Sequence, residues 1–186
     1  MKYSILIPSY DPTLRNLQTV TRLIESIELN SKGMDYELIM RKNGPSYTES
    51  HNDALRSSRG DYIVILNDDT LVRDPEWLQK LTSDTHIMSW RQGMFHLTGE
   101  PIWDFSLWAM SRPIFEKIGY FDEQYKNGIN YEDNDYHYKA KAAGIDFKIV
   151  PVEFVHYGGL TLAKTPNAED KRSKNHRIFY EKWLLK

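Results

Sequence analysis

Two adjacent carboxylates, Asp68 and Asp69, follow an apolar run from Tyr62 to Leu66, with only Asn67 in between. Neighbouring like charges repel each other and must be hydrated or paired, so a buried strand seldom ends in this way. In an open α/β sheet, ligands bind outside the carboxyl ends of the strands. Carboxylates there can hold a hard divalent cation, and the cation can hold a diphosphate. The pattern predicts chemistry on a nucleotide-linked substrate.

The alternative for Asp68 and Asp69 is structural: solvated turn residues that cap a helix at Pro75-Glu76-Trp77. A structural alternative is also open for a second acidic group, Glu132, Asp133 and Asp135, because acids in the first turn of a helix interact favourably with its dipole. Asp135 precedes Lys139 by four residues, the spacing of a surface ion pair, and we expect a structural role for it.

His156 ends a short predicted strand and precedes Gly158 and Gly159. A lone histidine is usually structural or exposed, and that alternative is open here. Glycines at this position would let a phosphate approach the backbone, and an imidazole suits Mn²⁺ beside oxygen ligands. His156 is therefore a candidate metal ligand.

The first half of the chain alternates strands and helices, which is typical of an α/β fold with a doubly wound, mostly parallel sheet. The predicted strands run from Tyr3 to Pro8, Tyr36 to Met40 and Tyr62 to Leu66, with helices from about Leu14 to Lys32 and from Thr48 to Arg59. Right-handed crossovers place the carboxyl ends of such strands along one edge. We expect Asp11, Asn43 and Asp69 to share that edge.

The second half is predicted to consist of shorter elements. Aromatic, strand-like pieces from Thr85 to Met110 precede helices at Pro113 to Gly119, Tyr131 to Ala143 and Asn167 to Leu185, and strands at Phe147 to Val150 and Glu153 to Val155. No repeat or linker divides the sequence. We predict a single domain, 1–186, with a nucleotide-binding half at about 1–84 and an acceptor and catalytic half at about 85–186.

The composition excludes several classes of function. Of the 186 residues, 40% are hydrophobic and 27% charged, as expected for a globular chain. A net charge of -2 gives no electrostatic basis for binding nucleic acid or an anionic membrane, and the absence of cysteine excludes disulfides, thiolate catalysis and zinc–sulfur sites. The first apolar run is too short for a signal peptide, and none reaches the roughly 18 residues of a membrane span. We expect a cytoplasmic protein.

Six motifs are spread over nearly the whole chain. They are Ser4-Ile5-Leu6-Ile7-Pro8-Ser9-Tyr10-Asp11, Ile65-Leu66-Asn67-Asp68-Asp69-Thr70, Ile118-Gly119-Tyr120-Phe121-Asp122-Glu123, Tyr131-Glu132-Asp133-Asn134-Asp135, Val155-His156-Tyr157-Gly158-Gly159 and Tyr180-Glu181-Lys182-Trp183. In this order they resemble family 2 glycosyltransferases of the GT-A fold, including rhamnosyl- and N-acetylhexosaminyltransferases. The resemblance implies sugar transfer from a nucleotide donor.

The resemblance also implies roles for the acids. Asp69 would hold Mn²⁺ or Mg²⁺, with Asn67 or Asp68 helping and His156 completing the shell. Asp133 matches the catalytic base, and Glu132 would orient acceptor or donor hydroxyls. An inverting transfer needs one carboxylate to take the acceptor proton and one cation to stabilise the departing diphosphate.

The nucleoside would meet the opening motif through Pro8, Tyr10 and Asp11, together with Asn43. In two places the chain departs from the family pattern. Asn67 replaces the first acid of the D-x-D motif, so the metal should bind loosely without donor. Lys42 stands where an acid often contacts the base, so the base is open and UDP or dTDP is only a default.

The acceptor is expected to be a glycan or a lipid-linked acceptor. An aromatic cluster, Trp90, Phe95, Trp103, Phe105 and Trp108, is either core or a surface on which a sugar stacks. Within it, Trp103-Asp104 is the best candidate, because an acid beside an exposed indole can hold sugar hydroxyls. The chain is short for the family, so a partner subunit or a homo-oligomer could complete the pocket.

Two other functions are open. A sugar nucleotidyltransferase would normally have a glycine-rich, basic loop after the first strand, and Ser9-Tyr10-Asp11-Pro12 lacks that pattern. A catalytically inactive module that binds a sugar or nucleotide would be consistent with the departures at Asn67 and Lys42. The retained acids and His156 argue against it.

Overall fold

The computed structural model describes residues 1–9, 17–42, 46–93, 101–127, 129–158 and 167–185. The strands are β1 (Tyr3–Ser9), β2 (Tyr36–Lys42), β3 (Tyr62–Leu66), β4 (Thr70–Val72), β5 (Ile87–Ser89), β6 (Leu107–Ser111), β7 (Phe147–Ile149) and β8 (Phe154–His156). The helices are α1 (Leu17–Asn30), α2 (Tyr47–Ser57), α3 (Trp77–Lys80), α4 (Arg112–Ile118), α5 (Glu132–Ala142) and α6 (Ala168–Trp183), with a 3-10 turn at Glu123–Asn127.

Within the described part of the chain, six strands form the main sheet in the order β2-β1-β3-β6-β5-β7. The pairs β1–β2, β1–β3 and β5–β7 are parallel, whereas β6 runs antiparallel to both of its neighbours, β3 and β5. The predicted doubly wound α/β sheet is thus confirmed as mostly parallel, with one reversed strand in its middle. The carboxyl ends of β1, β2 and β3 lie along one edge, as expected.

Alternating side chains of β3 supply two separate cores, one on each face of the sheet. Tyr62, Val64 and Leu66 pack with residues of α1 and α3, whereas Ile63 and Ile65 pack with residues of α2, α4 and α5. All five side chains of this strand are buried. Because both faces are covered, the strand reads as an unbroken apolar run, and its carboxyl end is fixed in position by packing on both sides.

The remaining two strands form a small antiparallel sheet, β4–β8, that the sequence did not predict. Thr70 pairs with His156 and Val72 with Phe154. The run Thr70-Leu71-Val72 is too short to display strand periodicity, and the acids before it resemble a turn. The pairing matters because it places the residue after Asp69 opposite His156.

Helix α6 is attached to α5 through Asp135, which is 1% exposed. Its Oδ1 atom accepts hydrogen bonds from Trp183 Nε1 at 2.7 Å and Tyr125 Oη at 3.2 Å, and lies 2.7 Å from Lys182 Nζ. The structural role expected for Asp135 is confirmed. The expected surface pair with Lys139 is wrong, because Asp135 faces α6, while Lys139 donates to the Tyr120 carbonyl.

We expect Asp135→Ala to lower the free energy of unfolding by about 3 kcal/mol, since Tyr125 and Trp183 lose their shared acceptor and Lys182 keeps only Asp122 as a charged partner. Chemical denaturation would measure the loss. The matched control is Asp53→Ala, which removes an exposed ion pair with Arg56 and should cost less than about 1 kcal/mol. Equal losses in the two variants would contradict the anchoring role.

Within the described residues, none of the helices has the length and apolar character needed to cross a membrane.

Candidate active site

The two carboxylates after β3 make different contacts. Asp68 Oδ2 accepts a hydrogen bond of 2.6 Å from the Ser9 hydroxyl at the end of β1. Asp69 Oδ1 lies 3.3 Å from Nε2 of His156 on β8. Asp68 and Asp69 are each only 7% exposed, which excludes the alternative of solvated turn residues. One carboxylate therefore faces the predicted nucleoside strand, and its neighbour faces the predicted histidine ligand.

The Asp69–His156 contact is held by backbone geometry on both sides. Thr70 and His156 are paired residues of the β4–β8 ladder, and the Tyr157 amide donates to the Asp69 carbonyl at 2.9 Å. The turn before Asp69 is closed by the Thr70 hydroxyl, which donates to the Asn67 carbonyl at 2.6 Å. A carboxylate and an imidazole are thus held together by main-chain bonds that need no metal to form.

The chemistry of this pair is compatible with a divalent cation that has further ligands from outside the protein. A carboxylate oxygen and an imidazole nitrogen are suitable ligands for Mn²⁺, and the Asp69 carboxylate suits Mg²⁺. Among the residues the structure describes, no group of three or more His, Cys, Asp or Glu side chains converges as a complete metal site. Two protein ligands leave most coordination positions to diphosphate oxygens and water, consistent with loose binding in the absence of donor.

The second acidic group begins α5. The Asp133 Oδ1 atom accepts from the Asn134 amide at 2.8 Å, and Glu132 Oε2 lies 3.4 Å from Nδ2 of Asn175 on α6. Burial, and then repulsion by the Asp133 carboxylate, raise the pKa of Glu132 to about 8. Glu132 therefore retains its proton near neutral pH, beside the Asp133 carboxylate.

The raised pKa of Glu132 predicts a pH-dependent stability. Above the ordinary pKa of 4.5, the unfolded chain releases this proton, whereas the folded protein retains it up to about pH 8. The folded state therefore binds more protons in this window, and its free energy of unfolding falls as pH rises.

Because glutamine does not titrate, we expect Glu132→Gln to remove the fall in the free energy of unfolding with rising pH. At pH 8 the variant should be more stable than the wild type by about 2 kcal/mol, a figure reduced because Glu132 is partly exposed. Urea unfolding of both proteins between pH 5 and about 8.5 would measure the difference. A constant difference across this range would contradict the prediction.

Tyr47, the first residue of α2, is a neighbour of the candidate site that the sequence reasoning did not select. Burial, and then the negative charges of Asp133, Glu132 and Asp104, raise the pKa of Tyr47 well above its ordinary value. Tyr47 is thus a common neighbour of the α5 acids and of Asp104, which lies on the connection between β5 and β6. Its place just after the second strand was the only available signal.

The Asp104 carboxylate lies beside the end of β3 and accepts several hydrogen bonds. It accepts hydrogen bonds from Arg91 Nε and the Ser106 amide, both at 2.7 Å, and from the Ser106 hydroxyl. Burial would raise the pKa of Asp104, but these hydrogen bonds more than offset it and lower the pKa. The Asn67 amide donates to the Ser106 carbonyl at 3.0 Å and so joins this loop to β3. Contact with an acceptor stays a prediction for Asp104.

The expectation of an exposed indole at Trp103 is wrong. Trp103 is 0% exposed, and its ring stacks on Phe105 with 4.7 Å between centroids and also contacts His137 and Phe147. The ring is enclosed by other aromatic side chains, so it cannot stack on a sugar. Burial of a large apolar surface explains this placement, and the core alternative for the cluster is confirmed for Trp103, Phe105 and Trp108.

Several predicted nucleoside contacts cannot be placed. Tyr10, Asp11 and Asn43, as well as Phe95 of the aromatic cluster, lie outside the described residues. Pro8 is half-buried near the end of β1, where it pairs with Arg41 of β2. Lys42 ends β2. Ser9, which the sequence reasoning did not select, is the residue of this edge with a defined contact to Asp68.

No protein-family model and no curated protein sequence matches this chain. Solved structures do resemble it. The catalytic domain of Drosophila β1,4-galactosyltransferase 7 in complex with xylobiose has a TM-score of 0.65 at 16% identity, over 85% of this chain and 71% of that one. A mutant of that enzyme in complex with manganese, UDP-Gal and xylobiose also has a TM-score of 0.65 at 15% identity, over 92% of this chain and 79% of that one.

S. aureus TarS, residues 1–349, in complex with UDP-GlcNAc has a TM-score of 0.64 at 13% identity, over 100% of this chain and 67% of that one. At this level of identity the likeness establishes the fold. The chain has the GT-A fold of these glycosyltransferases, as predicted. Its place in family 2 stays a prediction.

Proposed function

We propose that this chain is a metal-dependent, inverting glycosyltransferase that moves a sugar from a nucleoside diphosphate to a hydroxyl acceptor. The main support is the 3.3 Å contact between Asp69 Oδ1 and His156 Nε2 at the edge of the sheet where Asp68 meets the end of β1. A carboxylate–imidazole pair of this kind suits Mn²⁺ or Mg²⁺ held together with a diphosphate. The GT-A fold of the chain supports the same reaction class.

The acids at the start of α5 have separate roles in this proposal. Asp133 takes the proton of the acceptor hydroxyl while that oxygen attacks the sugar carbon from the side opposite the leaving group. Glu132, whose pKa is raised to about 8, keeps its proton and donates a hydrogen bond to a substrate hydroxyl. Asp69 and His156 would hold the divalent cation, which would supply electrostatic stabilisation of the departing diphosphate.

The donor in this proposal is a UDP-sugar. The Drosophila enzyme binds UDP-Gal and TarS binds UDP-GlcNAc, and both share the fold of this chain. Asp68, held by Ser9, is on the nucleoside side of the site. The acceptor is a hydroxyl of a glycan or lipid-linked glycan, as xylobiose is a sugar ligand of the Drosophila enzyme. A partner subunit, a homo-oligomer and a cytoplasmic location stay predictions.

The first experiment is thermal unfolding with UDP, dTDP, GDP and CDP, each with and without Mn²⁺, followed by assays for diphosphate release from the matching sugar nucleotides. We expect UDP to stabilise the protein only when Mn²⁺ is present, and a UDP-sugar to be consumed; the same result with another diphosphate instead would overturn the choice of donor. Stabilisation without turnover would support the inactive binding module instead. Absence of any stabilisation would overturn the proposal.

A further inference from the structure

Asn175, on α6, is completely buried against the segment that precedes the α5 acids. Its Nδ2 atom donates to the carbonyl oxygens of Asn130 at 2.8 Å and Tyr125 at 3.3 Å and lies 3.4 Å from Glu132 Oε2. We infer that Asn175 is a positioning residue that fixes the orientation of Glu132 and Asp133. The inference rests on the proposed function, in which these acids act on the substrate.

The segment that Asn175 holds has an unusual backbone. Asn130 and Tyr131 have φ values of 58° and 70°, the left-handed region that residues with a Cβ atom seldom adopt. A residue such as Tyr131 is disfavoured there by contact of its Cβ atom with the backbone, so the conformation persists only where surrounding contacts impose it. Helix α5 begins at the next residue, Glu132. The backbone conformation of Asn130 and Tyr131 therefore determines the direction in which the Glu132 and Asp133 side chains leave the helix.

The orientation of the Asn175 amide follows from its neighbours. The three groups named above are oxygen acceptors, whereas the buried Oδ1 atom has no hydrogen-bond partner among the residues that the structure describes. The reversed amide would place its oxygen against two carbonyl oxygens and a carboxyl group, which is electrostatically unfavourable. The side chain therefore acts as a donor to the turn, and a hydrophobic residue of similar size could not replace it.

Other contacts of α6 reach the same turn. Arg172 Nε donates to Asn130 Oδ1 at 3.2 Å, and the Tyr131 ring lies 5.4 Å from the His176 ring and 5.6 Å from the Phe179 ring between centroids. The C-terminal helix thus holds both left-handed residues by side-chain contacts, while Asn175 contributes the buried hydrogen bond to the main chain. Helix α6 therefore helps to position Glu132 and Asp133.

The test compares Asn175→Ala with Asn52→Ala. Asn52 is also a buried asparagine, and it donates to and accepts from the backbone of Phe121, so its loss removes no hydrogen bond to the turn before α5. Hydrogen–deuterium exchange of peptides covering residues 129–136 reports on the turn. The rate constant kcat and the Kd for the nucleoside diphosphate with Mn²⁺ report on catalysis and donor binding separately.

We expect Asn175→Ala to increase exchange in residues 129–136 and to lower kcat by about 10- to 100-fold, because small displacements of catalytic groups have effects of this size. The Kd should change less than about twofold, since Asp69 and His156 are untouched. Asn52→Ala should leave kcat and hydrogen exchange in residues 129–136 unchanged.

If Asn175→Ala is unfolded at the assay temperature, Asn175→Ser is the alternative variant. It keeps one hydrogen-bond donor and should give a smaller loss of kcat.

The outcomes separate this inference from the proposed function. Unchanged exchange in residues 129–136, or a kcat equal to that of Asn52→Ala, would overturn the positioning role. If Asn175→Ala shows increased exchange but the wild-type protein consumes no sugar nucleotide, the proposed function would be overturned. The role of Asn175 in fixing the turn would still stand. An equal loss of kcat and of diphosphate affinity would point to general destabilisation and would overturn the inference.

Discussion

Replacing Asp133 with asparagine should lower kcat for sugar transfer by about 10²- to 10⁴-fold, the range typical for loss of a general base. An asparagine preserves the size of the side chain, and its amide oxygen can still accept the hydrogen bond from the Asn134 amide. It cannot take a proton from an acceptor hydroxyl. Burial, the larger cause of the raised Glu132 pKa, persists in this variant even though the repulsion from Asp133 is removed, so Glu132 should remain a poor substitute for the base.

The measurement is the initial rate of transfer at saturating donor, with thermal unfolding as the check on folding. The matched control is Asp170→Asn, an exposed acid in the first turn of α6, for which we expect wild-type rates. Donor binding should be retained in Asp133→Asn, since no contact with the Asp69–His156 pair is removed. A rate within about threefold of wild type would exclude Asp133 as the base.

Replacing Asp69 with alanine should abolish the metal-dependent stabilisation by the nucleoside diphosphate. A ligand that binds only the folded state, at 100 times its Kd, adds roughly 2.7 kcal/mol, and the variant should lose all of this. His156→Ala removes the second ligand and should lose part of it. The contact between Asp69 and the Tyr157 amide uses the Asp69 backbone carbonyl, so the local turn should survive the substitution.

Asp61→Ala is the control for Asp69→Ala, because Asp61 is an exposed carboxylate at the opposite end of β3, where it accepts from the Lys2 amide. Thermal unfolding with and without Mn²⁺ and diphosphate should give the wild-type shift for Asp61→Ala and none for Asp69→Ala. A full shift in Asp69→Ala would place the cation elsewhere and would remove the main support for the proposed function.

Elements whose signals are local were predicted well from the sequence. β3 extends from Tyr62 to Leu66, as the apolar run indicates, and α4 ends before Gly119, which has a φ of 82° that suits glycine. Such elements depend on neighbouring residues and on backbone preferences that a sequence displays directly. The order of the first five elements follows from the same signals.

The errors and omissions concern tertiary contacts. Trp103 was expected at the surface because an acid follows it, yet both side chains are directed by packing: the indole into the aromatic core and Asp104 towards Arg91 and Ser106. Asn175 meets Glu132 only because α6 folds back over the start of α5. No local pattern indicates such a pairing, since it depends on where a distant helix is attached.

The β4–β8 ladder has a consequence for the order in which the proposed cation site, Asp69 and His156, would be assembled. Asp69 and His156 come from opposite halves of the sequence and meet only through this ladder. A nascent chain emerging from the ribosome would complete β1, β2 and β3 long before its histidine ligand is synthesised. Bringing Asp69 and His156 together closes a long loop of the chain, which carries an entropic cost. A bound cation would help to offset this cost only after β8 has paired with β4. Capture of the metal would therefore mark the end of folding.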